Sequence, residues 1–266
     1  GTTPQGSTEL DRLLIRFSDQ ENAFDWEATA TNTAGDLRVE SGSAIVQAVK
    51  TRREIIVLTD SSVHRMQFIG PPFTFGINQI STNTTAISPM GAVAVEDAVF
   101  WMGKNRFYVY EGRVQPIPCT VRDHVFNDLN EDAFEKIVAG VNSEFGEVFW
   151  FYPSASATEN DKYVIYNYEQ KIWYVGAFGR SAWVDKGIYE YPMASVATLI
   201  YNHEKTNDDD GTAMTSFIES SPIDIGDGDD FVFVQRLIPD ISFNNSETNA
   251  INQAVFTIKG ERFPGT

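Results

Sequence analysis

The chain repeats one pattern of strands several times. The runs IIVLTD (Ile55–Asp60), VFWMGK (Val99–Lys104), VFWFYP (Val148–Pro153) and, more loosely, TLIYNH (Thr198–His203) recur at a nearly even spacing. Each follows a small-residue-rich apolar run, AIVQAV (Ala44–Val49), GAVAV (Gly91–Val95), IVAGV (Ile137–Val141) or ASVA (Ala194–Ala197). Each precedes a longer alternating run, VHRMQFIG (Val63–Gly70), RFYVYEG (Arg106–Gly112), KYVIYNY (Lys162–Tyr168) or TAMTSFIES (Thr212–Ser220). A self-similar period of roughly 20–50 residues decides an architecture before any single element does.

Period-two alternation, enrichment in Val, Ile, Phe, Tyr and Trp, and turn residues between the runs make these antiparallel strands rather than helices. A fourth strand closes each unit, most clearly KIWYVG (Lys171–Gly176). The expected fold class is therefore all-β, with β-propeller-like repeats of four-stranded antiparallel blades over residues 1–236. The Ala and Gly of the first strand suit a crowded central channel. An irregular β-sandwich is the alternative. The tail Leu237–Phe263 leaves the period and reads as strand, polar turn and strand, a partial β-sandwich-like segment opening a second β domain over residues 237–266. One helix stands out in NDLNEDAFEKIVAG (Asn127–Gly140), where Asn130 can cap Glu131–Lys136 and acids favour the first turn.

Composition narrows the function classes. With 266 residues, 42% of them hydrophobic, the chain can bury a sizeable core. No run approaches the roughly 18 apolar residues of a membrane-spanning helix, and the start GTTPQGSTELDR has no apolar signal region, so neither membrane insertion nor secretion is expected. The single cysteine, Cys119, cannot form an internal disulfide and reads as an inert buried thiol. Thirty-seven acidic residues against 20 Lys and Arg give a net charge of −17, which leaves no footprint for phosphate-driven nucleic-acid binding.

Chemistry is sparse. His64, His124 and His203 belong to no metal-spaced pair and read as structural or solvated. No glycine-rich phosphate loop, nucleophile elbow, CxxC or sialidase-type Asp-box is present. The acidic segments Asn207–Gly211 and Asp224–Asp230 invite a calcium reading, but an EF-hand register from Thr206 lacks the first Asp and puts Phe217 in the place of the bidentate Glu. Solvated turns are the expectation there. Of Trp26, Trp101, Trp150, Trp173 and Trp183, the pair Trp101 and Trp150 holds equivalent repeat positions and is expected to pack between blades. No residue is assigned as catalytic, cofactor-binding or metal-binding, and no enzyme activity is expected.

Several stretches carry more than periodicity. In Arg16–Val46 a Ser-Asp pair (Ser18, Asp19) and a following Asp-Trp pair (Asp25, Trp26) precede a Gly-ended loop. With Gly70–Ile80, Pro118–Asn130, Phe149–Ser154, Asn160–Tyr168, Arg180–Gly187 and Phe217–Asp240, in that order, the chain resembles tail proteins of tailed bacteriophages, of the nozzle, tail-tube or tail-hub type, most of all those of short-tailed phages. That resemblance implies a propeller-bearing structural subunit of the virion, lining part of the DNA-conducting channel. It also implies a homo-oligomer, often a hexameric ring, docked to other tail or adaptor proteins and to fibres. Two alternatives stay open: a receptor- or glycan-binding propeller, marked by aromatics arrayed on one face, and a propeller glycosidase, marked by converging carboxylates.

Overall fold

Each run of β-branched and aromatic residues ends at a residue that can turn, and the structure, a computed structural model, pairs these runs with their sequence neighbours. It describes residues 1–206, 208–209, 211–213, 217, 233–241 and 254–260. A two-stranded sheet comes first, β1 (Leu14–Phe17) against β2 (Gly35–Arg38). The first blade is the meander β3 (Ile45–Lys50), β4 (Ile55–Thr59), β5 (Ser62–Gly70) and β6 (Thr74–Thr82). The second is β7 (Ala92–Val95), β8 (Ala98–Met102), β9 (Phe107–Tyr110) and β10 (Val114–Ile117). After the short helix α1 (Arg122–Phe126) and a 3-10 helix over Glu131–Lys136 comes the third, β11 (Val138–Asn142), β12 (Glu147–Tyr152), β13 (Lys162–Asn167) and β14 (Ile172–Gly176). A fourth sheet has three strands, β15 (Ala182–Val184), β16 (Met193–Val196) and β17 (Leu199–Asn202). All pairings within these sheets are antiparallel, and the architecture is all-β and propeller-like.

Side-chain parity on the middle strands builds the core. On β8, Val99 and Trp101 face the first blade and share a cluster with Ile56 and Leu58 of β4. Phe100 and Met102, on the other face, join Val148 and Trp150 of β12. Phe149 and Phe151 then face the fourth sheet, packing with Trp183. Val57 and Met66 turn the other way, onto Leu13 and Val39 beside the N-terminal pair. One two-residue alternation thus lays an apolar layer between each pair of neighbouring sheets, as period two requires. Trp101 and Trp150 are fully buried, and each indole N–H donates to a backbone carbonyl, Thr85 O at 3.2 Å and Gly91 O at 3.0 Å. The expected equivalence of the two residues is therefore physical.

First strands of successive blades lie side by side, β3 by β7 and β7 by β11. Their edges would otherwise leave open backbone groups. Gln47 on β3 closes one: its Nε2 donates to Ala92 O at 2.8 Å and its Oε1 accepts from Ala92 N at 2.9 Å. Met90 and Val138 form a parallel bridge, with Ala139 N donating to Met90 O at 2.8 Å. Pro116, which has no N–H to give, sits on the edge strand β10, where none is required.

The fourth repeat departs from the expected register. The strand lying next to β11 is β15, not the ASVA run, so β16 is second and β17 third. Trp183 of β15 explains the shift: it lies directly over Gly140, stacks on Phe149 at 4.9 Å and donates from Nε1 to Val141 O at 2.7 Å. The TAMTSFIES run (Thr212–Ser220), expected as the third strand of this unit, lies mostly outside the described residues; its described start forms β19 (Thr212–Ala213), which pairs with β18 (Asp208–Asp209). The chain divides into two compact units at this point, Gly1–Asn207 and Asp208–Thr266, earlier than the 236/237 division read from the sequence. The strand–turn–strand expected over Leu237–Phe263 falls partly outside the described residues, and its described parts, 237–241 and 254–260, carry no strand and are exposed. Asn130 caps as expected, accepting from Asp132 N at 3.0 Å, but the helix it starts is of the 3-10 type, interrupted at Ala133 (φ −127°).

Candidate functional site: an acidic cleft at the turn end of the blades

Because the first strands run in parallel and every sheet is a meander, the turns between first and second strands, and between third and fourth, gather at one end. Turns favour Gly, Asn and Asp and lie in solvent, where charged side chains are at no cost, and this end collects charge. Glu96 and Asp97 join β7 to β8, Glu111 joins β9 to β10, Glu169 joins β13 to β14, and Asp185 follows β15. Opposite charges pair between neighbouring turns: Arg52 with Glu96 at 3.7 Å, Arg53 with Asp97 at 3.8 Å, and Lys186 with Glu144 at 2.7 Å.

Between these turns lies a cleft of about 790 Å³. Glu96, Glu111, Glu169 and Asp185 stand around it, and Phe100, Tyr168 and Trp183 form its aromatic wall. Phe100 and Tyr168 stack at 5.9 Å. The Tyr168 phenol is held above its ordinary pKa, first by burial and then by the negative charge of Glu169, Asp185 and Glu96. Three carboxylates therefore act on one hydroxyl, and the small residues Ala94 and Ala139 line the cleft with it. Concave negative potential next to aromatic faces is an environment that accepts cations.

A smaller cleft of about 360 Å³ shares Glu96 and Glu111 and reaches Glu54 and Tyr110 between the first two blades. There Glu54 is tied down: it accepts from the Tyr110 hydroxyl and from Gln67 Nε2 at 2.9 Å, with Arg65 at 3.7 Å. Burial raises the Tyr110 phenol, and the Glu54 carboxylate raises it further.

The residues singled out in the sequence are scattered. His64 is buried, within 2.9 Å of Ser62 Oγ, and burial lowers its pKa. His203 accepts from Arg180 Nε at 3.0 Å, and burial followed by the guanidinium charge lowers its pKa to about 4. His124 lies on α1 and is exposed. Of the two acidic segments, Asp224–Asp230 and much of Asn207–Gly211 lie outside the described residues. Among the described residues no group of three or more His, Cys, Asp and Glu is placed to hold a metal ion. Asp19 organises the loop before β2, its carboxylate accepting from both Thr33 N and Thr33 Oγ1 at 2.7 Å. Trp26 is partly exposed beside it.

Cys119 is half-buried, and burial pushes its thiol up to about 11. The thiolate is the reactive form. Native protein at pH 7.5 is therefore expected to react with a disulfide reagent roughly 100-fold more slowly than free cysteine, and denaturant should restore the ordinary rate. Native reaction at the free-cysteine rate would show that Cys119 is not shielded.

The cleft acids went unnoticed in the sequence because each is one ordinary turn residue. A signal existed in their shared place after first or third strands, in VEDAV, YEGRV and YEQK.

No family model matches the chain, and no curated protein matches it. Among solved structures it is similar to the extracellular domain of a one-component system from B. thetaiotaomicron, with 9% identity and a TM-score of 0.42. The match covers 70% of this chain, which spans 24% of that structure's length.

Proposed function

We propose that the chain is a structural, non-enzymatic propeller segment of a bacteriophage tail, contributing to the DNA-conducting channel and docking other tail proteins. The observation that supports it is the fourth sheet. Register puts Val184 and Ile200 on the face turned away from Trp183 and the third blade, and both are exposed, at 48% and 73%. On the second blade the residues facing the following sheet are covered: Phe107 and Val109 of the third strand are buried, and Val93 and Val95 of the first strand are covered in part. An apolar face left uncovered within the Gly1–Asn207 unit suits a building block whose neighbours come from the assembly. Trp101 and Trp150 are consumed in packing and cannot serve as a glycan platform.

In a ring of six, this chain would bring on the order of a hundred negative charges, screened over roughly 8 Å. Such a wall centres DNA without gripping it. The purified chain is expected to show no binding to duplex DNA at low ionic strength; salt-sensitive micromolar binding would contradict the repulsive-channel reading. The role itself is tested by antibodies raised against the chain: they should label the tail of the virion, and labelling of no virion part would overturn it. A mass measurement of the assembly then distinguishes a ring from a monomer.

The four carboxylates of the cleft favour a second reading, glycoside hydrolysis. Turnover of a polysaccharide that disappears in Glu111→Gln or Glu169→Gln would replace the structural reading.

A further inference from the structure

At the turn end of the seam between the third and fourth sheets, one buried polar group is left over. Asn142, the last residue of β11, has no exposure, and its Oδ1 has no hydrogen-bond partner. A buried acceptor without a donor is costly, so it calls for an explanation. Glu147 stands directly opposite in the β11–β12 register, which sets the two side chains on the same face with their Cβ atoms about 5 Å apart. From the other side, Glu204 leaves β17 with φ of 57°. Although Glu204 is exposed as a residue, its carboxylate turns inward, and Asn142 Nδ2 donates to its Oε1 at 3.5 Å.

We propose that Glu147, Asn142 and Glu204 form a proton-operated latch between the third and fourth sheets. With one proton on the pair, Glu147 O–H donates to Asn142 Oδ1, Asn142 Nδ2 donates to the Glu204 carboxylate, and every buried polar atom of the trio is satisfied. When Glu147 releases that proton to solvent, Asn142 Oδ1 loses its donor and two carboxylates face each other across the seam. The carboxyls behave accordingly. Burial raises the Glu147 pKa and the charge of Glu204 raises it further, while burial followed by the charge of Glu144 raises that of Glu204.

Among the described residues neither Glu147 nor Glu204 has a salt-bridge partner. Lys186 is held by Glu144 at 2.7 Å, and Asp185 accepts from the backbone of Ser143 and Lys186. Glu169 lies against Gly146, and the Tyr163 phenol on β13 is itself raised by burial and by Glu147. From the fourth sheet, His203 accepts from Arg180, and the exposed Lys205 follows Glu204.

A carboxyl whose folded pKa exceeds its ordinary 4.5 binds its proton more tightly when folded. Its stabilisation is complete below that ordinary value and is lost as the pH rises through the folded pKa. The test is a carboxyl-carbon NMR titration of Glu147 together with melting curves from pH 4 to 8, on the full chain. The Glu147 midpoint should lie above the ordinary value and move down in Glu204→Gln. Glu147→Gln, whose amide donates at every pH, should raise the melting temperature at pH 7.5 by about 2–4 °C and flatten its decline with pH. A wild-type midpoint at or below the ordinary value, or one unmoved in Glu204→Gln, would overturn the latch. So would a Glu147→Gln profile identical to wild type. Millimolar calcium chloride shifting the wild-type melt but not that of Glu147→Gln would also overturn it, assigning the trio to a cation.

Discussion

Replacing Trp150 with alanine is expected to cost the Gly1–Asn207 unit about 4 kcal/mol. With a denaturation slope near 2 kcal/mol/M, the urea midpoint would fall by about 2 M. Three features add up at this one residue. Its indole is fully buried in the layer between the second and third blades, with Phe107 at 4.8 Å and Trp173 at 6.2 Å. Its N–H donates to Gly91 O, immediately before the first strand of the second blade, so truncation opens a cavity and also removes one of the two donors to that carbonyl, leaving Met102 N at 3.1 Å. Its neighbours come from strands that cannot close the gap without breaking ladders, so little relaxation is available. Domains of this size hold roughly 5–15 kcal/mol in all, which makes the loss a large fraction of the total. Trp26→Ala, at a position 45% exposed, should change stability by no more than about 0.5 kcal/mol. A Trp150→Ala protein within about 1 kcal/mol of wild type would show that the inter-blade layer is not what holds the blades together.

Adding one methyl group at Gly140 is expected to loosen the fourth sheet. A Cβ there would sit 2.6 Å from Trp183 Cδ1 and Cγ and 2.8 Å from its Cβ, the rigid root of the side chain. Trp183 cannot swing away without losing its hydrogen bond to Val141 O and its stacking on Phe149. Overpacking of this kind costs about 1–3 kcal/mol. The signature is non-additivity: Gly140→Ala should cost clearly less in a Trp183→Ala background, because the two indole contacts at 2.6 Å have gone and only the approach to the Cβ at 2.8 Å is left. Proteolysis should respond in step, with faster cleavage in the 185–192 loop of Gly140→Ala than of wild type. Strict additivity of the two substitutions, or unchanged cleavage, would contradict the contact.

The charge pairs between neighbouring turns show how a strongly acidic chain keeps its blades together. Arg52 and Arg53 meet Glu96 and Asp97 where two blades adjoin, and Lys186 meets Glu144 at the next seam but one. These side chains are well exposed and each pair contributes little to stability. What they achieve is local neutrality at the seams, Glu96 included, while Glu111, Glu169 and Asp185 of the cleft have no salt-bridge partner among the described residues.

What the sequence by itself determined is the blade. Period-two alternation in IIVLT, AVFWM and EVFWFY decides both that these segments are strands and which residues share a face, since a strand's geometry alone sends neighbours to opposite sides. The repeat then decides that Trp101 and Trp150 do the same job. Asn130 announced its cap because that interaction is local. Only the tertiary structure decided the fourth sheet. The ASVA run looks like any first strand in isolation, and the position beside β11 went to β15 because Gly140 leaves a hollow that Trp183 fills from more than 40 residues away. The cleft and the Asn142 trio were out of reach for the same reason. Their carboxylates are ordinary turn and strand-end residues one at a time, and acquire a shared field only when separate blades bring them to one end of the stack.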